Sequence, residues 1–240
     1  MELVDCHSHV VPSGDDGAQT LEHGLELCDL AAASGTTVLF ATPHVWPHLT
    51  LTDERERAIR RAYERLRERA RLELRLGFEL TPAPPLLRED PARYALEGTE
   101  VVLAEMPFPG PSDDLIELAE HVERAGLTPL VAHPERTEPV LERPELAREL
   151  AERWPLQLNA SSLLGRHGRA IEELAWELLE VASVVASDGH RLTRPARLDE
   201  AYERVRERVG EDAALPLFDG SALGLKTRRP PPSRAGAPGA

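Results

Sequence analysis

The sequence predicts an α/β fold in which parallel strands and helices alternate around a β/α barrel. Seven short apolar segments, starting near Leu3, Thr36, Leu72, Val101, Leu130, Leu156 and Val184, are separated by helical or charged stretches. Alternation of this kind implies a parallel sheet. Strand after strand also runs into polar residues able to do chemistry, and a β/α barrel builds its site from the loops at the carboxyl ends of its strands. The glycine-rich loop of an open dinucleotide-binding sheet is absent. The 240 residues suffice for one large core.

In chain order, Leu3 to Gly17 reads as the first strand and the loop that follows it, in which the turn Gly14-Asp15-Asp16-Gly17 brings two carboxylates back towards one face of the strand. Period-two alternation puts Asp5, His7 and His9 on one face. Leu21, Leu25, Cys28 and Ala32 recur at helical spacing after Thr20 and stop at Gly35. Thr36 to Ala41 is a buried strand ending in Thr42-Pro43-His44, and the charged run Thr52 to Arg71 is a solvent-facing helix. A third strand from Leu72 to Leu80 places Leu72, Leu74, Leu76, Phe78 and Leu80 on one face, with Glu73, Arg75 and Glu79 on the other. The proline-rich stretch Thr81 to Pro85 is loop. Val101 to Ala104 leads into Glu105, and Ser112 is placed to cap a helix that closes at Gly126. Leu130 to Ala132 ends in His133-Pro134-Glu135-Arg136, Leu156 to Leu158 in Asn159-Ala160-Ser161, and Val184 to Ser187 in Asp188-Gly189-His190. A charged helix spans Arg197 to Val209.

A net charge of −14 argues against broad contact with nucleic-acid backbone, which needs Lys and Arg to displace counterions. A phosphorylated substrate remains compatible, because bound cations reverse the local potential. Two cysteines, Cys6 and Cys28, make no disulfide framework and fit a reducing compartment. Without a signal peptide or an apolar run long enough to span a membrane, a soluble cytoplasmic protein is expected. Neither cysteine has the arginine of a thiolate phosphate loop after it, and no Gly-x-Ser-x-Gly elbow or Walker loop occurs.

If the strand ends converge, they gather His7, His9, His44, Glu79, Glu105, His133, Asp188 and His190, with Asp15 or Asp16 from the first loop. This is too many donors for one tetrahedral zinc, and it suits two or three ions sharing carboxylates, with Glu79 as the candidate bridge. Mixed oxygen and imidazole donors favour Mn, Fe or Zn over Ca. Arg136 and Arg194 fall at the mouth of this cluster, where a guanidinium pairs bidentately with phosphate oxygens. His23, His48, His121 and His167 read as ordinary surface histidines, with His48 close to His44.

Asp5-Cys6-His7-Ser8-His9 with Asp15-Asp16-Gly17, Ala41-Thr42-Pro43-His44, Ala132-His133-Pro134-Glu135-Arg136 and Ala186-Ser187-Asp188-Gly189-His190 resemble the motifs of the PHP (polymerase and histidinol phosphatase) superfamily. Glu105-Met106-Pro107-Phe108 and the Asp-Asp-Gly loop are similar to its bacterial manganese-dependent tyrosine-protein phosphatases of capsule and exopolysaccharide loci. The resemblance runs from Leu3 to the Arg197–Val209 helix. It implies a distorted (β/α)7 barrel of TIM-like form and a trinuclear metal centre held by the residues gathered above, with Mn(2+) favoured. It implies that Arg136 and Arg194 contact phosphate, and that the substrate is a phosphotyrosine protein, a kinase of polysaccharide synthesis. Residues 1–227 are then expected to form a single metallophosphatase domain followed by a disordered proline-rich tail, 228–240, with oligomerisation open. The expected reaction is attack on phosphorus by a metal-bound hydroxide. The alternatives are a small phosphomonoester such as histidinol phosphate and a non-catalytic scaffold; a nuclease suits the acidic charge poorly.

Overall fold

The computed structural model of the protein describes residues 2–108 and 110–225; the expected tail lies outside them. Its elements, in order, are β1 (Leu3–Asp5), α1 (Leu21–Ala33), β2 (Thr36–Ala41), β3 (His44–Val45), α2 (Asp53–Arg67), β4 (Glu73–Leu76), β5 (Glu79–Leu80), β6 (Val101–Glu105), α3 (Ser112–Arg124), β7 (Thr128–Ala132), α4 (Glu138–Glu142), α5 (Glu145–Ala151), β8 (Leu156–Asn159), α6 (Ala160–Leu163), α7 (Arg169–Leu178), β9 (Val184–Ala186), α8 (Asp199–Val209) and α9 (Glu211–Ala214). Every strand pairing is parallel: β1-β2-β4 form one sheet and β3-β5-β6-β7-β8-β9 the other. β3 continues the line of β2 beyond Pro43, and β5 continues β4 beyond Gly77-Phe78, so the two sheets share two broken staves. A parallel Ser8–Gly189 bridge then joins the first stave to the last, with His9 N donating to Gly189 O at 2.7 Å and Asp188 N to His7 O at 2.9 Å. The result is the seven-staved, distorted barrel that the sequence leads one to expect.

Alternation sorts the strand residues into two layers. Val101, Leu103, Leu130, Ala132, Val184 and Ala186 cluster with Val4, Cys6 and Phe40 inside the barrel. Their neighbours Val102, Ala104, Val131 and Val185 join the larger core beneath the helices. The inner layer is closed below by Leu223, and Phe218 O accepts from Val4 N at 2.8 Å.

Four details differ from the expectation. The single strand from Leu72 to Leu80 is broken, because Gly77 N turns to Ala41 O and the carbonyl of Pro43 receives Glu79 N. The stripe of α1 that is fully buried is Gly24, Leu27, Cys28 and Ala31, with Leu21 and Leu25 packed at its margin. Gly24 lies on that stripe because any Cβ there would run into the carbonyl oxygen of Val10. Ser112 is the first helical residue of α3 and Pro111 its N-cap, so the Ser112 hydroxyl caps nothing. Between β5 and β6 there is no α-helix, only 3-10 turns at Leu86–Arg88 and Pro91–Tyr94, since prolines deny the segment its helical N–H donors.

Candidate metal centre

The first strand stops being regular at Asp5. Val4 and Cys6 face the barrel interior, so strict alternation would turn His7 and His9 outwards. Asp5 Oδ1 instead accepts from His7 N at 3.3 Å and Ser187 N at 3.0 Å, and this local break swings both imidazoles into the mouth of the barrel. Asp5 therefore organises backbone and stays out of the cluster, contrary to the shared face expected for Asp5, His7 and His9. Burial raises its carboxyl to about 6 against those hydrogen bonds.

His44 on β3, Glu79 on β5 and Glu105 at the end of β6 are aligned by the parallel register, with His44 opposite Glu79 and Glu79 opposite Leu103. His133 and Asp188 follow β7 and β9, and both adopt positive φ, 33° and 51°. Such backbone is costly for a residue with a Cβ and persists where surrounding structure fixes it, commonly at functional sites.

All these side chains are buried, and they converge. Glu79 Oε2 lies 3.1 Å from His7 Nε2, 3.2 Å from His9 Nε2 and 3.0 Å from His44 Nδ1, while Glu79 Oε1 is 2.9 Å from His133 Nε2. Asp188 Oδ1 is 3.5 Å from both His7 Nε2 and His9 Nε2, and 3.3 Å from His190 Nδ1. Four overlapping donor sets result: His9, Asp16, His44 and His190; His7, His9 and Glu79; His7, His133 and Asp188; His44, Glu79 and Glu105. The two aspartates of the first loop part company here. Asp16 Oδ1 lies 3.2 Å from His190 Nε2, whereas Asp15 belongs to none of the sets. Asp15 accepts from Gly17 N and His44 N at 3.1 and 3.0 Å and faces His9 Nδ1 at 3.4 Å. Gly17 permits this turn, since a Cβ there would collide with the carbonyl oxygen of His9.

A cation fits this donor set. Gln157 Oε1 sits 2.9 Å from His7 Nδ1 and Asp15 Oδ2 faces His9 Nδ1, so each of those nitrogens is the one that carries hydrogen. The Nε2 lone pairs of His7 and His9, 3.1 Å apart, are left pointing at each other and at Glu79 Oε2, a buried oxygen without a hydrogen-bond donor. Positive charge relieves that arrangement. Protons are drawn in for the same reason. Burial disfavours charge on His9, yet the carboxylates of Asp15, Asp188 and Glu79 push its pKa well above the usual histidine value. Burial likewise opposes ionisation of Glu79, but His44 and His7 outweigh it and hold this carboxyl well below its ordinary range. Glu105 goes the other way: burial, then the charge of Glu79, raise it.

Arg136 and Arg194 both reach Asp188. Arg136 Nη1 donates to Oδ2 at 2.7 Å, and Arg194 pairs with the same oxygen. Both arginines line an open cleft of about 380 Å³, together with Trp46, His48, Thr81, Phe108 and the cluster's outer edge. The ten predicted ligand candidates and both arginines are thus brought to one place.

Several neighbours were not singled out from the sequence. Gln157 Nε2 donates to Asn159 Oδ1 at 2.8 Å, and Asn159 Nδ2 donates to Asp188 Oδ2 at 2.8 Å, which links His7 to Asp188 behind the site. A polar residue in the otherwise apolar strand Leu156-Gln157-Leu158 was the available signal. Thr81 donates to Glu105 Oε1. Glu135 is fully buried, accepts from Asn159 N and Ser162 Oγ, and burial raises it to about 7. His167 is half-buried rather than an ordinary surface residue. Its Nε2 lies 2.8 Å from Ser161 Oγ, and burial, with Arg136 and Arg194 nearby, lowers it to about 4. His48 stacks on Trp46, which stacks on His44.

Residues 3–223 match the model of a family described as capsular polysaccharide synthesis, CpsB/CapC. The chain belongs to the CpsB/CapC family. Among relatives, tyrosine-protein phosphatase YwqE of Bacillus subtilis is 28% identical over 95% of each chain. Tyrosine-protein phosphatase CpsB of Streptococcus agalactiae is 28% identical over 90% of this chain and 95% of its own. A chain from the crystal structures of YwqE from Bacillus subtilis and CpsB from Streptococcus pneumoniae, described as unique metal-dependent tyrosine phosphatases, superposes with a TM-score of 0.80. It is 25% identical and covers 90% of this chain and 91% of its own. Dihydropyrimidinase from Brevibacillus agri, 13% identical with a TM-score of 0.62, shares the barrel fold alone. In this CpsB/CapC chain the convergent donors sit where the staves of that barrel end.

Proposed function

We propose that this chain is a metal-dependent protein-tyrosine phosphatase, acting as one catalytic domain over residues 1–227. The observation that carries the reading is the double role of Asp188. One oxygen faces the histidine donors, while the other is held by Arg136, Arg194 and Asn159 at the floor of the open cleft. Membership of a family whose relatives are named tyrosine-protein phosphatases supports the substrate class.

In this reading His7, His9, Asp16, His44, Glu79, Glu105, His133, Asp188 and His190 would hold two or three divalent ions, Mn(2+) in preference to Fe or Zn, Glu79 being common to two of the donor sets. Asp15 positions His9 from behind. When bound, such ions supply Lewis-acid polarisation of a phosphoryl oxygen and a water acidified towards about pKa 7. Arg136 and Arg194 take phosphoryl oxygens at the cleft floor and stabilise charge developing there. Gln157, through the hydrogen on His7 Nδ1, keeps the Nε2 lone pair aimed inwards, and the carbonyl of Asp188, 2.8 Å from His190 Nδ1, does the same for His190. Asn159 keeps Asp188 oriented. The partner would be a phosphotyrosine protein, a bacterial tyrosine kinase of polysaccharide synthesis. The setting would be the cytoplasm, where the buried Cys6 and Cys28 stay reduced. Among the described residues no helix is long and apolar enough to cross a membrane.

The test is phosphate release by metal-stripped protein with Mn(2+) added back, on a phosphotyrosine peptide and on histidinol phosphate, beside His7→Ala. Mn-dependent turnover of the peptide, lost in the variant, is expected. Turnover of histidinol phosphate alone would reassign the substrate.

A further inference from the structure

Phe108 stands in the strand-end sequence Glu105-Met106-Pro107-Phe108, and the metal chemistry has no use for it. It is 47% exposed, one of four large apolar side chains so exposed among the described residues. Its ring is held in place. The Thr137 hydroxyl, next to Arg136, donates to Pro134 O at 2.9 Å and lies 3.4 Å from Met106 Sδ, so the chain leaving β6 packs against the loop after β7. The Phe108 ring lies 5.8 Å from the His133 ring, and the Arg136 guanidinium sits 5.8 Å from the Phe108 centroid. Trp46, the other large aromatic lining the cleft, already stacks with two rings, His44 at 4.3 Å and His48 at 5.2 Å. Phe108 is the aromatic wall with surface left to offer.

We infer that Phe108 is a specificity-determining residue that packs against the ring of an aryl phosphate and selects aryl over alkyl phosphomonoesters. Arg136 connects the two halves of this inference, which rests on the phosphatase reading above. The guanidinium that meets the phosphoryl group also stacks on Phe108, so the ester substituent of a phosphate bound there leaves alongside the Phe108 ring. A phenyl group in that position buries apolar surface and gains an offset or edge contact, whereas a short alkyl group leaves most of the ring wet.

The experiment compares Mn-loaded wild type, Phe108→Ala and Phe108→Tyr on a phosphotyrosine peptide and on glycerol 2-phosphate. It also measures inhibition constants for phenylphosphonate and methylphosphonate, neither of which is hydrolysed. The aryl-to-alkyl ratio of kcat/KM is expected to fall about tenfold in Phe108→Ala, chiefly through KM, and to recover in Phe108→Tyr. The phenylphosphonate constant should rise by a similar factor relative to methylphosphonate. An unchanged ratio in both measurements overturns the role of Phe108. If wild type itself does not hydrolyse phosphotyrosine, the phosphatase reading fails, and the phosphonate ratio still decides the role of Phe108.

Discussion

Replacing Glu79 by Gln tests whether this carboxylate is shared between ions. It belongs to two of the four donor sets and touches four imidazoles, so its loss removes one anionic ligand from two positions at nearly constant volume. A ligand that binds only the folded chain stabilises it by about 2.7 kcal/mol at a hundred times its dissociation constant. Disturbing even a supporting partner of a ligand weakens metal affinity by about 10- to 100-fold, so a hundredfold loss is a modest value for the ligand itself. At the same Mn(2+) concentration the variant would then gain only ~0.4 kcal/mol, a deficit of about 2.3 kcal/mol. For a chain of this size that deficit corresponds to roughly 5–9 °C in Tm. The assay is thermal unfolding of EDTA-stripped protein with and without Mn(2+), for wild type, Glu79→Gln and the surface control Glu123→Gln. Comparing each protein with its own stripped form cancels any direct effect of the substitution on the apo fold. An equal Mn-induced rise in Glu79→Gln and wild type would refute the shared-ligand assignment.

Gln157→Leu removes the acceptor behind His7 Nδ1, and Mn(2+) affinity measured by titration calorimetry should weaken about 10- to 100-fold with the fold intact by circular dichroism. Arg136→Ala and Arg194→Ala should each lower kcat/KM on a phosphotyrosine peptide by about 10²-fold while metal content, read by atomic emission, is retained. Lysine at either position should restore only part, because a point charge lacks the guanidinium fork. Glu135 titrates at about 7 in the fold, raised from 4.5 chiefly by burial. Between those values the folded chain binds more protons than the unfolded one, so this group makes stability fall as pH rises from 4.5 to about 7 and level off above it. Stripped wild type should therefore lose Tm relative to Glu135→Gln across that window, and parallel curves would count against the buried, protonated carboxyl.

Much of the site was legible in the sequence because its chemistry is local. His-x-His beside Asp-Asp-Gly, Ala-His-Pro-Glu-Arg and Ser-Asp-Gly-His each concentrate donors within a few residues at a strand end, and apolar runs between helical stretches fix a parallel sheet whose carboxyl ends must meet. Composition and spacing therefore determined the fold class, the set of candidate metal donors and the pair of arginines. Tertiary structure decided what depends on contacts between distant segments. Adjacent in the chain, Asp15 and Asp16 are separated in role by the His44 N–H that claims Asp15 and by His190, which faces Asp16. The inward turn of His7 and His9 depends on Asp5 meeting Ser187, a residue of the last stave that closes onto the first. Gln157 matters only because β8 sets it opposite His7, and Phe108 only because the chain leaving β6 brings its ring to the Arg136 guanidinium. A sequence fixes which donors and acceptors exist; which pairs come within hydrogen-bond reach is set by the barrel register, and hydrogen bonds act over too short a range to be read before that register is known.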